Sequence, residues 1–236
     1  MYQWLEESLE KYYKFIKVLK KKDNGEIILY KHCCSNRYMV VKKLEGYYPV
    51  YDRLVNMKHG NFPHVYEVCN DGNKTIVVEE YIQGITVADI LENSNMSIYA
   101  MKQIIMQVCD GLYALHSNQI IHRDMKPENV IIQENGQVKI IDFDASRIYK
   151  LYETKDTKWV GTIGYAAPEQ YGEAQSDERT DIYALGIMMN VMLTGKHPAN
   201  LMAQGKIGKI IEKCIKINPE QRYKTVLEIK EKLKKV

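Results

Sequence analysis

The chain carries the run His122-Arg123-Asp124-Met125-Lys126-Pro127-Glu128-Asn129, and Ile141-Asp142-Phe143 follows it. Asp124, Asn129 and Asp142 end in hard oxygen donors, the kind that magnesium prefers in few, fixed positions. Phosphoryl transfer between oxygens asks for little covalent help from a protein. It needs a hydroxyl oriented, metal ions held and developing charge neutralised. Asp124 and Asn129 share one loop, and Asp142 follows a hairpin that closes beside it, so the three donors can meet around a metal-bound triphosphate.

The elements that must place them can be read from pattern. Met101, Ile104, Ile105, Val108, Leu112 and Leu115 mark one face of a long helix ahead of the loop. Asn135-Gly136 is a hairpin turn signal between strands at 129–132 and 137–141. Further helices are expected at 181–193, 207–215 and 225–233. Toward the N-terminus, Trp4, Leu5, Leu9, Tyr12, Tyr13 and Ile16 recur at helical spacing and predict a short amphipathic helix. Runs at 15–19, 26–30 and 37–43 predict a three-stranded antiparallel meander, split by polar breaks at 20–25 and 33–36. A helix over 50–58 and strands near 65–69 and 75–80 follow. A small β-rich half before a larger helical half is an α+β, two-lobed architecture, taken as one domain over 1–236 with lobes at 1–82 and 83–236.

With 236 residues, 45% hydrophobic and 27% charged, the composition is that of an ordinary globular chain. A net charge of +3 gives no nucleic-acid signature. The five cysteines form no CxxC pair, so no zinc knuckle or dithiol motif is expected, and they read as free thiols in a reducing compartment. Residues 1–22 lack an apolar run with a cleavage site, so no secretory signal is expected, and the stretch 184–193 is too short for a bilayer, which needs about twenty apolar residues. A cytoplasmic, unanchored chain is expected, with no membrane or nucleic-acid partner; oligomeric state is left open.

The catalytic block resembles that of the eukaryotic-type (Hanks-type) Ser/Thr protein kinases, and the chain looks like a compact, bacterial-like member. His122, Arg123, Asp124, Lys126 and Asn129 match the family's catalytic loop. The resemblance implies that Asp124 orients the substrate hydroxyl, Lys126 neutralises the transferring phosphate, and Asn129 and Asp142 hold magnesium. Gly161-Thr162-Ile163-Gly164-Tyr165-Ala166-Ala167-Pro168-Glu169 resembles the substrate-docking segment, with the Thr162 hydroxyl near the catalytic Asp. Asp181 matches the residue that braces the catalytic loop, and Arg222 the arginine that pairs with Glu169. In the small lobe, 39–43 resembles the strand with the phosphate-binding lysine. Lys42 fits best and Lys43 is the alternative, since alternation sends the two to opposite faces. The resemblance also implies that Gly25, in the phosphate-covering loop, and Ile27 bind the nucleotide. The backbone of Glu80 and Ile82 resembles the adenine-binding hinge, Glu79 stands at the gatekeeper position, and Asp89 matches a ribose contact. The substrates implied are ATP with Mg2+ and a protein carrying Ser or Thr.

The chain also departs from the family pattern. Of the three glycines expected in the phosphate-covering loop only Gly25 remains, with Lys20 and Lys22 at the other two positions. Val50 stands where a helix-borne Glu should pair with Lys42, which leaves Asp52, Glu45 or no carboxylate as the partner. Asp144 replaces the Gly after Asp142-Phe143, which is expected to restrict the backbone there. Arg123 implies an activation loop switched by phosphate, with Thr154 or Thr157 as the autophosphorylation site. Two other readings compete: a pseudokinase that binds nucleotide or protein, and a small-molecule kinase on the same fold.

Overall fold

Leu5 and Leu9 lie four residues apart and give α1 (Tyr2–Tyr12) a buried apolar edge. In the computed structural model, which describes residues 2–149, 161–172 and 175–236, this edge packs on Val41, Cys69, Ile76 and Val78 of a β-sheet. Helix α1 stops at Tyr12, because Tyr13 and Ile16 belong to the first strand. The chain divides into two units, Met1–His59 with Pro63–Gln83, and Gly60–Phe62 with Gly84–Val236.

The first unit holds β1 (Tyr13–Lys22), β2 (Gly25–His32), β3 (Tyr38–Glu45), α2 (Pro49–Leu54), β4 (Val65–Asn70) and β5 (Lys74–Glu80). The strands form one antiparallel sheet in the order β1-β2-β3-β5-β4. The polar break expected at 20–25 is mostly strand. Lys20 pairs with Ile27 and Lys22 with Gly25, so the connection shrinks to Asp23-Asn24. The helix expected over 50–58 ends at Leu54. The amides of Asn56 and Met57 bond three residues back, to Arg53 and Leu54, and the Asn56 side chain bonds the Asp52 carbonyl at 3.3 Å. Those tighter turns close the helix.

The second unit opens with β6 (Ile85–Thr86) and α3 (Val87–Leu91), two short elements without a periodic signal. It continues with α4 (Ile98–Ser117), β7 (Ile120–Ile121), β8 (Val130–Ile132), β9 (Val138–Ile140), β10 (Arg147–Ile148), α5 (Glu178–Thr194), α6 (Gly205–Cys214) and α7 (Val226–Leu233). Helix α4 buries the face of Met101, Ile104, Ile105, Val108, Leu112 and Leu115, and packs against α5 and α7. Strands β8 and β9 form the hairpin, with Gly136 at φ +79° in its turn. The pairing of β7 with β10 is a long-range contact.

All five cysteines are free. Cys33 and Cys34 are exposed between β2 and β3, whereas Cys69, Cys109 and Cys214 are buried. Burial pushes the Cys109 thiol up to about 12 and raises Cys69 and Cys214 as well. Since the thiolate is the nucleophile, iodoacetamide on the native protein is expected to alkylate Cys33 and Cys34 alone. The other three should react only in denaturant. Peptide mapping after each treatment checks this, and native labelling of Cys109 or Cys214 would contradict it.

Candidate active site

The segment 122–129 is held by α5. Asp181, fully buried near its start, accepts the backbone N–H groups of His122 (2.9 Å) and Arg123 (2.8 Å). These bonds hold Arg123 in the left-handed region at φ +67°. On the opposite side the Gln170 amide donates to the Arg123 carbonyl at 2.8 Å. Gly161 must be glycine there. Its φ is +138°, and a Cβ would lie 2.9 Å from the Gln170 amide nitrogen and 2.8 Å from Ala166 Cβ.

So held, the loop gathers four side chains. Thr162 Oγ1 donates to Asp124 Oδ1 at 2.7 Å. Lys126 Nζ lies 3.0 Å from Asp124 Oδ2 and donates to Thr162 Oγ1 at 2.6 Å. The Asn129 amide nitrogen donates to the Asp124 carbonyl at 2.7 Å and to its Oδ2 at 3.1 Å. The backbone N–H of Ile141, the residue before Asp142, donates to the Asn129 carbonyl at 2.9 Å and ties that segment to the loop. His122 Nε2 sits 3.1 Å from the Ile141 carbonyl, and the ring of Phe143 meets the rings of His122 and Phe62 edge-on. Asp142 itself is left-handed, at φ +66°. Asp144 is not. It lies in the right-handed 3-10 turn Phe143–Ala145, where any residue fits, so the expected backbone cost of an Asp for Gly does not arise.

Residues 13–236 match the family described as the protein kinase domain. The chain belongs to the protein kinase family. Similar proteins include a probable serine/threonine-protein kinase of Clostridium acetobutylicum, 28% identical over an alignment of 250 residues that covers 90% of this chain and 38% of the relative. A putative leucine-rich repeat receptor-like serine/threonine-protein kinase of Arabidopsis thaliana is 30% identical over an alignment of 211 residues that covers 79% of this chain and 24% of the relative. Serine/threonine-protein kinase PknL of Mycobacterium tuberculosis is 35% identical over 136 residues, 57% of this chain and 34% of the relative. The chain thus matches only 24% to 38% of the length of these relatives.

Glu169, at the end of the segment 161–169, forms a buried two-pronged pair with Arg222. Arg222 Nη1 meets Glu169 Oε1 at 2.7 Å and Nη2 meets Oε2 at 2.9 Å. The carbonyls of Lys216, Arg179 and Ile217 take further bonds from Arg222, and Thr180 Oγ1 donates to Glu169 Oε1 at 2.9 Å.

The first unit separates Lys42 from Lys43. Lys43 is on the sheet face that α1 covers, with Val41, Ile76 and Val78. Lys42 is on the other face and buried. Neither Asp52 nor Glu45 is its partner. Asp52 is exposed and accepts from the Tyr47 hydroxyl at 2.6 Å, and Glu45 is exposed at the end of β3. Among the contacts described, Glu79 on β5 brings a carboxylate to Lys42, 3.2 Å from Nζ, and the Tyr51 hydroxyl of α2 accepts from Nζ at 2.8 Å. A glutamate at the end of the buried run 75–78 was the sequence signal for this, because such a charge needs a partner.

Gly25 has a packing reason of its own: φ is +144°, and a Cβ would fall 2.0 Å from the Lys43 carbonyl oxygen. Ile27 pairs across the sheet with Lys42. The Glu80 amide donates to the His64 carbonyl at 2.8 Å and its carboxylate accepts from the His64 amide at 3.1 Å, while Ile82 is buried. Asp89 is exposed and closes a capping box with Thr86 on α3, and the bond from Thr86 holds its carboxyl below the usual range. Thr154 and Thr157 lie outside the described residues.

Asp181 gives the site a pH dependence. Burial pushes its carboxyl up, but the bond from His116 Nε2 at 2.8 Å, the charges of His116 and His122 and the backbone donors outweigh this. The net shift is below the ordinary 3.8. A carboxylate with a depressed folded value contributes stability that is complete above its unfolded value and is lost as pH falls through the folded one. Asp181→Asn is therefore expected to be less stable at neutral pH and to lose less stability than the parent between about pH 5 and pH 3. Urea midpoints measured across that range check it, and parallel acid limbs would contradict it.

Proposed function

We propose that the chain is an ATP-dependent protein serine/threonine kinase that moves the γ-phosphate of ATP to a Ser or Thr hydroxyl of a protein substrate. The observation that carries this reading is the bond from Thr162 Oγ1 to Asp124 Oδ1 at 2.7 Å, with Lys126 Nζ 3.0 Å from Oδ2. An alcohol proton already rests on this carboxylate, so a substrate alcohol entering at Thr162's place would be oriented the same way. Lys126 touches both the carboxylate and the alcohol oxygen, where it can offset charge on an arriving phosphoryl group.

Magnesium fits the donor set. The Asn129 amide nitrogen is committed to Asp124, which leaves the amide oxygen, and Asp142 adds a carboxylate; both are hard donors. Bound there, the ion would neutralise charge on the triphosphate. Lys42, Gly25 and Ile27 are assigned to the phosphate side of ATP, the backbone of Glu80 and Ile82 to adenine, and Asp89 to ribose. A cavity of about 460 Å³ lined by Gly164, Ala166, Pro168, Tyr171, Tyr183 and His197 adjoins the Thr162 segment and suits a peptide acceptor. Thr154 or Thr157 is assigned as an autophosphorylation site that answers to Arg123. Among the described residues no helix is long and apolar enough to cross a membrane, and the reading places the reaction in the cytoplasm, where ATP is supplied.

The test is incubation with Mg-ATP labelled at the γ-phosphate and casein as a generic acceptor, followed by phosphoamino acid analysis. Phosphoserine or phosphothreonine is expected. Absence of transfer, with ATP still bound, would replace this reading by a nucleotide-binding module. Transfer to small alcohols alone would make it a small-molecule kinase.

A further inference from the structure

We propose that Glu79 on β5 is a positioning residue of Lys42, so that an ion pair orienting the phosphate-binding lysine is built into the β-sheet, with the Tyr51 hydroxyl as the contribution of α2. The inference rests on the kinase reading for Lys42's role, and on geometry within the first unit for the rest. Lys42 pairs with Val77 and Val40 with Glu79 across the β3–β5 ladder. Lys42 and Glu79 are therefore diagonal neighbours on one face, within reach of long side chains. Nζ lies 3.2 Å from Glu79 Oε1, and the side chains are 2% and 6% exposed. A lysine buried that deeply needs an opposite charge, since an isolated ammonium is strongly disfavoured away from water.

Helix α2 does not supply that charge. Its buried side chains are Val50, Tyr51 and Leu54, and its carboxylate, Asp52, faces outward toward Tyr47. What α2 offers is the Tyr51 hydroxyl at 2.8 Å, with the tyrosine ring centroid 5.3 Å from Nζ. The ladder that sets Lys42 against Glu79 runs unbroken from Met39↔Glu80 to Glu45↔Lys74. A strand pair with continuous register has no second arrangement nearby, because a one-residue slip would turn every side chain to the other face. Displacing α2 would remove the hydroxyl and leave the ion pair standing. The lysine is thus held ready without a helix movement.

The test is a double-mutant cycle in the full chain with Lys42→Met, Glu79→Gln and the pair together, with Tyr51→Phe and Glu79→Asp alongside. Readouts are kcat and KM for ATP, ATP affinity by calorimetry, and the thermal midpoint. Glu79→Gln is expected to lower kcat/KM for ATP about ten- to hundredfold, the range for loss of one bond to a charged group. Glu79→Asp should recover part of this. Tyr51→Phe should cost less than Glu79→Gln. In the Lys42→Met background Glu79→Gln should add little, since partners in one interaction are not additive. Additive effects, or Glu79→Gln values within about threefold of the parent, would overturn the proposal. If Glu79→Gln does not fold, Glu79→Asp takes its place in the cycle under the same criteria. A parent that binds ATP without transferring phosphate would sink the catalytic reading alone. The cycle is then scored on ATP affinity, with the same additivity rule. A parent that neither binds nor transfers would sink both.

Discussion

Asp124→Ala is expected to abolish most phosphate transfer, lowering kcat by about 10²- to 10⁴-fold, the contribution of a positioned proton acceptor. The change should fall on kcat and leave ATP affinity close to that of the parent. Asp124 Oδ1 is bonded to the Thr162 hydroxyl and Oδ2 to Lys126 and the Asn129 amide. The carboxylate is therefore at the centre of the cluster, and its removal takes away the orienting acceptor and one partner each of Lys126 and Asn129, while the bond from Asn129 to the Asp124 carbonyl remains. The loop backbone should survive, because it is held by Asp181 and Gln170 and not by the Asp124 side chain. Single-turnover transfer to casein, with calorimetric ATP binding on the same preparation, separates the two effects. Retention of more than about a tenth of parental kcat would remove Asp124 from the chemistry assigned to it.

The largest stability loss is expected at Glu169 and Arg222. A guanidinium has five N–H donors, and the Arg222 groups make five hydrogen bonds: two to Glu169 and one each to the carbonyls of Lys216, Arg179 and Ile217. The ring of Tyr183 lies 4.9 Å from the guanidinium carbon. Arg222→Ala leaves the Glu169 carboxylate buried with the Thr180 hydroxyl as its remaining side-chain donor among the described residues. Breaking one side of such a pair costs about 3–5 kcal/mol, which in a chain of this size lowers Tm by roughly 10 °C. Replacing both partners with apolar residues, Glu169→Leu with Arg222→Met, should recover part of the loss, because no uncompensated charge remains. Thermal unfolding of the parent, both single variants and the double variant measures this. A shift below about 2 °C for Arg222→Ala would show that the pair is not a major support.

Much of the site was legible because its parts are close in sequence. Asp124, Lys126 and Asn129 lie on one short loop, and the Asn129 side chain bonds Asp124 directly. Thr162, Glu169, Asp181 and Arg222 are far apart in the chain, but each stands in a motif whose order could be read. The α+β character followed from alternating runs before residue 83 and 3.6-residue periodicity after it. Less legible were positions where one residue type serves two physical purposes. Gly25 answers to the Lys43 carbonyl of the next strand, beside the phosphate role that the motif suggested for it. Asp89 caps α3. Asp144 stands where glycine was expected, yet its backbone is right-handed.

By itself the sequence determined the fold class and which face of α4 is buried, since these depend on residue type and local spacing. Only the tertiary structure decided which carboxylate meets Lys42. Asp52 and Glu45 are nearer in the chain, but β3 and β5 place Glu79 diagonally opposite and on the same face. That choice is made by strand register, and register is a property of two strands packed together and of neither one alone.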